Sequence, residues 1–131
     1  MSELVKTIIP YGTVSKIATF TTVTASDYIS VKNAADKDVF IIINNYDASY
    51  GVTFTLKAGD IGVLAPEGDL SFNIAKGQSF YIIPLSHAHS SRLKLLEDAS
   101  NSGTNRGRIL TTAVADTGGT LSLAVAVVVV Q

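Results

Sequence analysis

The sequence contains no cysteine and no tryptophan, and only one methionine. Without cysteine, the chain can form neither a disulfide bond nor a thiolate metal site. Its 131 residues are still enough for one domain, because a domain of this size buries about two-thirds of the surface of its unfolded chain. We therefore expect a single domain that is held together by packing alone.

Charged residues are scarce as well. They make up 16% of the chain, with a net charge of −1, whereas typical soluble domains have about 25%. No basic surface is available for nucleic acid, so we expect no nucleic-acid partner. The 13 serines and 13 threonines indicate a polar, weakly charged surface. Such a surface is easily covered by another protein, but threonine is also common on solvent-facing strand positions, and both interpretations remain open.

No segment is long enough for a membrane helix. The most apolar run, Leu123–Val130, has eight residues, whereas a membrane helix needs about 20. Residues 1–6 are largely polar and lack the apolar stretch of a signal peptide. We therefore predict no signal peptide and no membrane partner.

Alternation of apolar and polar residues is the strongest structural signal. Residues 52–57, 70–75 and 121–129 each carry an apolar side chain at every second position. Period 2 is the mark of a strand with one buried face. Two continuous apolar runs, residues 39–43 and 80–83, are typical of strands that are covered on both faces, by a second sheet or by a neighbour.

Glycine-bearing turns separate these segments at residues 57–60, 66–69, 75–78 and 117–119, where glycine supplies the positive φ of a tight turn. Strands that recur every 8–12 residues or so indicate a sandwich or a barrel. Residues 90–99 fit both a helix and a strand, and we favour the strand. The predicted fold is all-β, a single-domain β-sandwich or partly open barrel of about eight strands.

The N-terminal segment departs from this rhythm. Its apolar residues lie three apart, at Val14, Ile17, Phe20 and Val23, which matches neither a regular strand nor a regular helix. We predict that residues 1–26 form an extended arm or an irregular, bulged strand, and that residues 27–131 form the core. If the segment is an arm, these four residues contact a neighbouring subunit.

Few side chains suggest chemistry. His87 and His89 would share one face of a strand, but a zinc site takes three or four protein ligands and no third ligand is identifiable by spacing. Asp60, Glu67 and Asp69 lie around two turns, where acidic residues are common. The sequence has no phosphate-binding glycine loop and no serine-nucleophile motif. We therefore expect no enzymatic activity, no metal and no cofactor.

Two tyrosines flank a predicted loop. Tyr46 and Tyr50 stand on either side of residues 47–49. In that position they can stack on a sugar or anchor a protein contact. They can equally hold the loop against the core, and the sequence does not decide between these roles.

The C-terminal run is long, β-branched and uncharged, without lysine or proline in residues 121–130. As an exposed edge strand it would be a template for aggregation. It must therefore be central in its own sheet or paired with another subunit, and we predict Val125, Val127 and Val129 as assembly contacts. Removal of residues 121–131 should abolish folding or assembly.

One series of motifs runs through residues 38–84. An apolar strand and an asparagine-containing loop are followed by KAGD, GDL and AKG turns, then by PL and RLK, at residues 57–60, 68–70, 75–77, 84–85 and 92–94. This series resembles a family of small structural proteins of tailed bacteriophages. The resemblance does not extend to residues 1–30 or 100–131.

The resemblance implies a virion component, most plausibly a capsid decoration protein on the capsid exterior that is made in the host cytoplasm. Its partners would be the major capsid protein and further copies of itself, for example in a trimer. It transfers no catalytic motif. A phage tail or tail-tip protein and a carbohydrate-binding module, with a glycan as partner, are the alternative functions.

Overall fold

The computed structural model describes residues 2–17, 19–31, 38–59, 68–77, 80–86, 93, 95 and 107–130. Within these residues the chain forms ten strands. They are β1 (Ser2–Glu3), β2 (Lys6–Ile9), β3 (Thr21–Thr22), β4 (Ser26–Ser30), β5 (Asp38–Asn45), β6 (Val52–Leu56), β7 (Leu70–Ile74), β8 (Phe80–Leu85), β9 (Arg108–Ala115) and β10 (Leu123–Val130).

The strands form two sheets. Sheet A has the order β1-β4-β9-β6-β7, and sheet B has the order β2-β10-β5-β8, with β3 also paired to β10. The pairs β1/β4 and β2/β10 are parallel, and the other pairs are antiparallel. The sheets do not close into a barrel. The predicted all-β sandwich is therefore confirmed, and eight of the ten described strands have four residues or more.

The core lies between the two sheets. Alternation produces it directly: Val52, Phe54 and Leu56 on β6 are buried, whereas the threonines between them are partly exposed. Ile29 and Ile109 bury their side chains from neighbouring strands of the same sheet. Full burial of each such side chain contributes about 1.5–3 kcal/mol of transfer free energy.

Strand β10 is central in sheet B. It pairs with β5 along its whole length on one side, and with β2 and β3 on the other. Residues 123–129 are all buried, so both faces of the strand are covered. One of the two alternatives posed by the apolar C-terminal sequence is thereby confirmed, since the strand is central in its own sheet.

The N-terminal segment contributes to both sheets. Strand β1 joins sheet A and β2 joins sheet B, with Leu4 fully buried between them. Val23 is also buried, and its N–H donates to the carbonyl of Leu123 at 2.9 Å. The four residues spaced three apart, Val14, Ile17, Phe20 and Val23, all lie outside the strands, so their spacing reports no regular element. Its contact with a neighbouring subunit stays a prediction.

The two continuous apolar runs are only partly covered within the protomer. For residues 80–83, coverage by a second sheet or by a neighbour was expected, and Phe80 and Ile82 are exposed. Both point away from the core, and β8 pairs with β5 alone among the described strands, so little of the chain flanks them. Coverage by a neighbour stays a prediction. In the run at residues 39–43, Phe40 and Ile42 are only partly buried. The strand predicted over residues 90–99 lies outside the described residues, apart from Leu93 and Leu95.

Candidate functional site

An exposed apolar surface lies on the outer face of sheet B, along edge strand β8. Because side chains alternate along a strand, Phe80, Ile82 and Pro84 point away from the core. Phe80 is 65% exposed and Ile82 is 61% exposed. Phe20 joins them, with its ring centroid 5.9 Å from that of Phe80 and the rings tilted by 56°. We refer to Phe20, Phe80, Ile82 and Pro84 as the β8 patch.

The strand register continues this surface toward the middle of the sheet. Ile42 lies opposite Ile82, and Phe40 lies opposite Pro84, both partly buried. Asp38 is the one charged residue in strands β5, β8 and β10. The outer face of sheet B is thus apolar and almost free of charge in these strands.

The linker between β2 and β3, described for residues 10–17, 19 and 20, contacts this face at both ends. At one end, the Tyr11 hydroxyl donates to the Asp38 carboxylate at 3.0 Å, and this hydrogen bond raises the pKa of Tyr11. At the other end, Phe20 contacts Phe80, which stands opposite the far end of β5. Between these two contacts Val14 is 95% exposed. The linker is therefore held to the sheet at its ends.

Asn44 is a buried polar residue beside the β8 patch. It lies between Ala124 on β10 and Phe80 on β8, on the outward face of sheet B. Its side chain is 3% exposed, and its Oδ1 atom has no hydrogen-bond donor in the described part of the chain. An unpaired buried acceptor costs about 1–3 kcal/mol. Such a group marks a place where a donor from another molecule would be stabilising.

A second candidate surface is the cluster of loops at one end of the sandwich. Asn45 is fully buried there, and its Nδ2 donates to the carbonyls of Tyr50 at 2.9 Å and Ala75 at 3.2 Å. The N–H of Gly77 donates to the carbonyl of Asp47 at 2.8 Å. These bonds tie the loop between β5 and β6 to the turn between β7 and β8.

Tyr50 extends the same cluster to the turn between β9 and β10. A Cβ atom on Gly119 would lie 2.6 Å from the Cβ of Tyr50, and one on Gly118, whose φ is +91°, would lie 3.3 Å from the Tyr50 hydroxyl. Glycine is required at Gly119 by this close approach. Tyr50 therefore packs against the neighbouring turn, and its part in a sugar or protein contact stays a prediction.

The electrostatics of the loop cluster centre on Asp47. Its Oδ1 accepts from the N–H groups of Ser49 at 2.8 Å and Tyr50 at 3.1 Å, and the carboxylate also accepts from the N–H of Thr120. These bonds, that of Ser49 above all, hold the pKa of Asp47 below its usual value. All of its donors are main-chain groups, so the carboxylate organises the loop.

A salt bridge lies at the opposite end of β6. Lys57 contacts the Asp69 carboxylate at 2.7 Å, and the N–H of Ala58 donates to the same group at 2.7 Å. Together they lower the pKa of Asp69, with Lys57 the larger cause. Asp69 therefore serves the ordinary turn role considered for it. Asp60 and Glu67, the other two carboxylates of that group, lie outside the described residues.

Two surface cavities are lined by residues that the structure describes. One is an apolar groove of about 280 Å³ between edge strands β7 and β8, lined by Leu70, Phe72 and Ile82 among others. The other, of about 350 Å³, lies at the end of sheet A beside Gly51, Asn73 and Asp116. The apolar groove adjoins the β8 patch because both include Ile82.

Comparison with known proteins leaves the site to be interpreted from its own geometry. No family model, curated protein or solved structure matches this chain. Among the residues described above, no three acidic or histidine side chains stand close enough to hold a metal ion. The described part of the chain also has no helix that is long and apolar enough to cross a membrane. His87 and His89 lie outside the described residues.

The predicted assembly contacts fall into two groups. Val14, Phe20, Tyr46 and Tyr50 are exposed, Tyr46 by 49%, and Ile17 is partly exposed. The other predicted contacts lie in the hydrophobic core of the protomer: Val23, Val125, Val127 and Val129. Of the whole set, Phe20 alone belongs to the β8 patch. Contact of these residues with another subunit stays a prediction.

Four residues of the candidate site were not predicted from the sequence to lie there: Asn44, Phe80, Ile82 and Pro84. Phe80 and Ile82 belong to an apolar run that is typical of a buried strand, and Asn44 follows another such run. A signal for the edge position was nevertheless present, because Pro84 cannot donate a main-chain hydrogen bond and proline is confined to edge strands, strand starts and bulges.

Proposed function

We propose that the protein is a structural component that acts by assembly, specifically as a capsid decoration protein of a tailed bacteriophage. The observation that carries this proposal is the β8 patch, an apolar surface exposed on an edge strand. The patch needs a covering surface, and an assembly provides one.

The size of the patch supports this interpretation. A phenylalanine side chain presents about 150–250 Å² when fully accessible. The exposed fractions of the patch residues therefore correspond to roughly 300 Å² for the patch as a whole. Contiguous apolar surfaces of this size on a monomer often mark interaction sites. The loop cluster offers less, since the Asp47 carboxylate and the Asn45 amide are engaged within the chain.

The choice of a phage capsid comes from the turn motifs of residues 38–84. Two of these turns have the local structure that such motifs require: Gly68 and Gly77 have φ of +75° and +94°. The Lys57–Asp69 bridge joins the first two turns of the series. A sandwich with a buried β10 and few charges on the outer face of sheet B is also suited to packing among neighbouring subunits.

The test is to locate the chain in the particle of the phage whose genome encodes it. We expect a cryo-EM map of the particle to show density for a sandwich of this size on the outer surface of the head. The same map of particles lacking the gene should lose that density and nothing else. Density on the tail would replace decoration by a tail function, and absence from the particle would remove the proposal.

A further inference from the structure

We infer that a second copy of this chain covers the β8 patch, so that two outer faces of sheet B meet. The inference rests on the proposed function, since it names the partner for a surface that was argued to work by assembly. It is carried by the exposure of Phe80 and Ile82, by the lack of charge around them and by the unpaired Oδ1 of Asn44.

The absence of charge determines what kind of surface can cover the patch. Strands β5, β8 and β10 carry a single charged residue, Asp38, whose carboxylate already accepts a hydrogen bond from Tyr11. A charged partner would lose its hydration against the patch and gain no counter-charge. A neutral apolar partner has no charge whose hydration would be lost, and a second β8 patch is such a surface.

Symmetry makes the same surface self-complementary. In a two-fold contact the same patch is used on both subunits, so an uncharged patch meets its own copy without like-charge repulsion. A standard interface buries about 800 Å² on each partner and has an apolar centre with a polar rim. The β8 patch supplies the centre. The exposed linker residues around Val14 supply further contact area, and one of them, Lys16, is charged.

Asn44 gives the contact a polar component. Its unpaired Oδ1 lies beside Phe80, whose ring is 65% exposed and packs against Phe20, so a donor reaches the oxygen only if association shifts that ring. A second copy carries an exposed hydroxyl on the same face at Thr22, which lies opposite Ala124 in the register. A hydroxyl of this kind is the donor that the Asn44 oxygen lacks.

The experiment measures the mass of the purified protein by sedimentation equilibrium over a range of concentrations up to about 1 mM, the weakest Kd of interest here. Wild type is compared with Ile82→Asp and with Val114→Asp. Val114 is the matched control because it is 64% exposed, against 61% for Ile82, but lies on β9 in sheet A. Thermal melting confirms that both variants fold, and Phe80→Ser replaces Ile82→Asp if the latter does not.

We expect wild type to associate as concentration rises, Ile82→Asp to associate at least tenfold more weakly, and Val114→Asp to behave as wild type. A wild-type protein that remains monomeric throughout overturns the inference. Equal association of Ile82→Asp and wild type, or equal weakening by both substitutions, overturns it as well.

The two proposals fail in different ways. A monomeric protein that still decorates the head would remove the homotypic contact and leave the proposed function intact. A protein that associates through Ile82 but is absent from the particle would remove the phage function and leave the contact intact.

Discussion

Asn44 and Asn45 are neighbours in sequence, and both are buried, yet their surroundings differ. The Asn45 amide donates to two carbonyls, and its Oδ1 accepts from the N–H of Asp47 at 3.1 Å. The Oδ1 of Asn44 has no donor among the described residues. One asparagine therefore stabilises the loop cluster, whereas the other weakens the protomer unless a partner supplies a donor.

Replacement of these two residues by leucine should have opposite effects. We expect Asn44→Leu to raise the free energy of unfolding by about 1 kcal/mol, because it removes an unpaired buried acceptor. Asn45→Leu should lower it by about 1–3 kcal/mol, because the carbonyls of Tyr50 and Ala75 lose their donor. Urea denaturation at a protein concentration below the onset of association measures both. Destabilisation by Asn44→Leu would show that Oδ1 is paired in solution.

Asp47 predicts a particular dependence of stability on pH. In the folded chain its pKa lies below the ordinary value of 3.8, because the carboxylate accepts hydrogen bonds from main-chain N–H groups, that of Ser49 above all. Its stabilisation is therefore fully present at pH values above 3.8 and is lost as the pH falls through the folded pKa. We expect Asp47→Asn to melt at a lower temperature than wild type at pH 7.

The difference in melting temperature between Asp47→Asn and wild type should shrink as the pH is lowered below the ordinary carboxyl value of 3.8 and through the lowered pKa of Asp47, because protonation of the wild-type carboxylate then removes its charge. Melting curves recorded by circular dichroism across this range give the comparison. A difference that stays constant with pH would mean that the charge of Asp47 does not contribute.

Among the elements, the strands with one buried face are those that the sequence identified most directly. Strands β6 and β7 begin or end close to the predicted segments, because alternation reports burial of one face. The same alternation located β10, although both faces of that strand are covered. Periodicity contains no information on what covers the other face of a sheet, however. The apolar run that became β8 looks the same whether or not its outward face is covered, and the tertiary arrangement around that face decided its exposure.

The candidate site was less predictable than the fold for the same reason. The exposure of Ile82 depends on whether another part of the chain covers the outer face of β8, and the contact between Tyr50 and Gly119 joins two loops that are distant in sequence. Phe20 was identified, but through its spacing in the N-terminal segment. Its position against Phe80 follows from the path of a linker that has no regular pattern.

Removal of β10 should prevent folding. Without residues 121–131, β5 loses its neighbour along its whole length, and β2 and β3 lose the strand to which they pair. We expect the truncated chain to show no cooperative melting transition and to aggregate. Removal of residues 1–3 is the control, because it deletes only the exposed two-residue strand β1 at the edge of sheet A. A truncated chain that melts cooperatively would contradict the central role of β10.

The whole molecule is a sandwich with two different sides. On one side the chain crosses between the sheets at Leu4, where β1 and β2 are consecutive. On the other side the edge strands β7 and β8 leave the apolar groove between them. The β8 patch adjoins this second side, so the uncovered apolar surface of the described residues is concentrated at one edge of the molecule.

Association through such a surface should respond to salts in a characteristic way. With a net charge of −1 and an almost uncharged contact face, self-association should change little between about 50 and 500 mM NaCl, where screening of ion pairs rises steeply. Ammonium sulfate should strengthen it, since sulfate favours apolar burial. Sedimentation in the two salts tests this, and a marked loss of association in NaCl would point to ion pairs in the interface.

The parallel pairing of β2 with β10 has a mechanical consequence. Lys6 to Ile9 run beside Val127 to Val130 in the same direction, in four register pairs. Opposite forces applied at residues 2 and 130 therefore slide the two strands along each other, so the hydrogen bonds between them are loaded together.

Forces applied at Asp38 and Ser86, at the same end of the antiparallel pair of β5 and β8, instead open that pair one residue at a time. Single-molecule pulling should thus give a higher rupture force for the first pair of attachment points than for the second. A chain pulled at residues 2 and 130 would thus resist the shearing of β2 against β10.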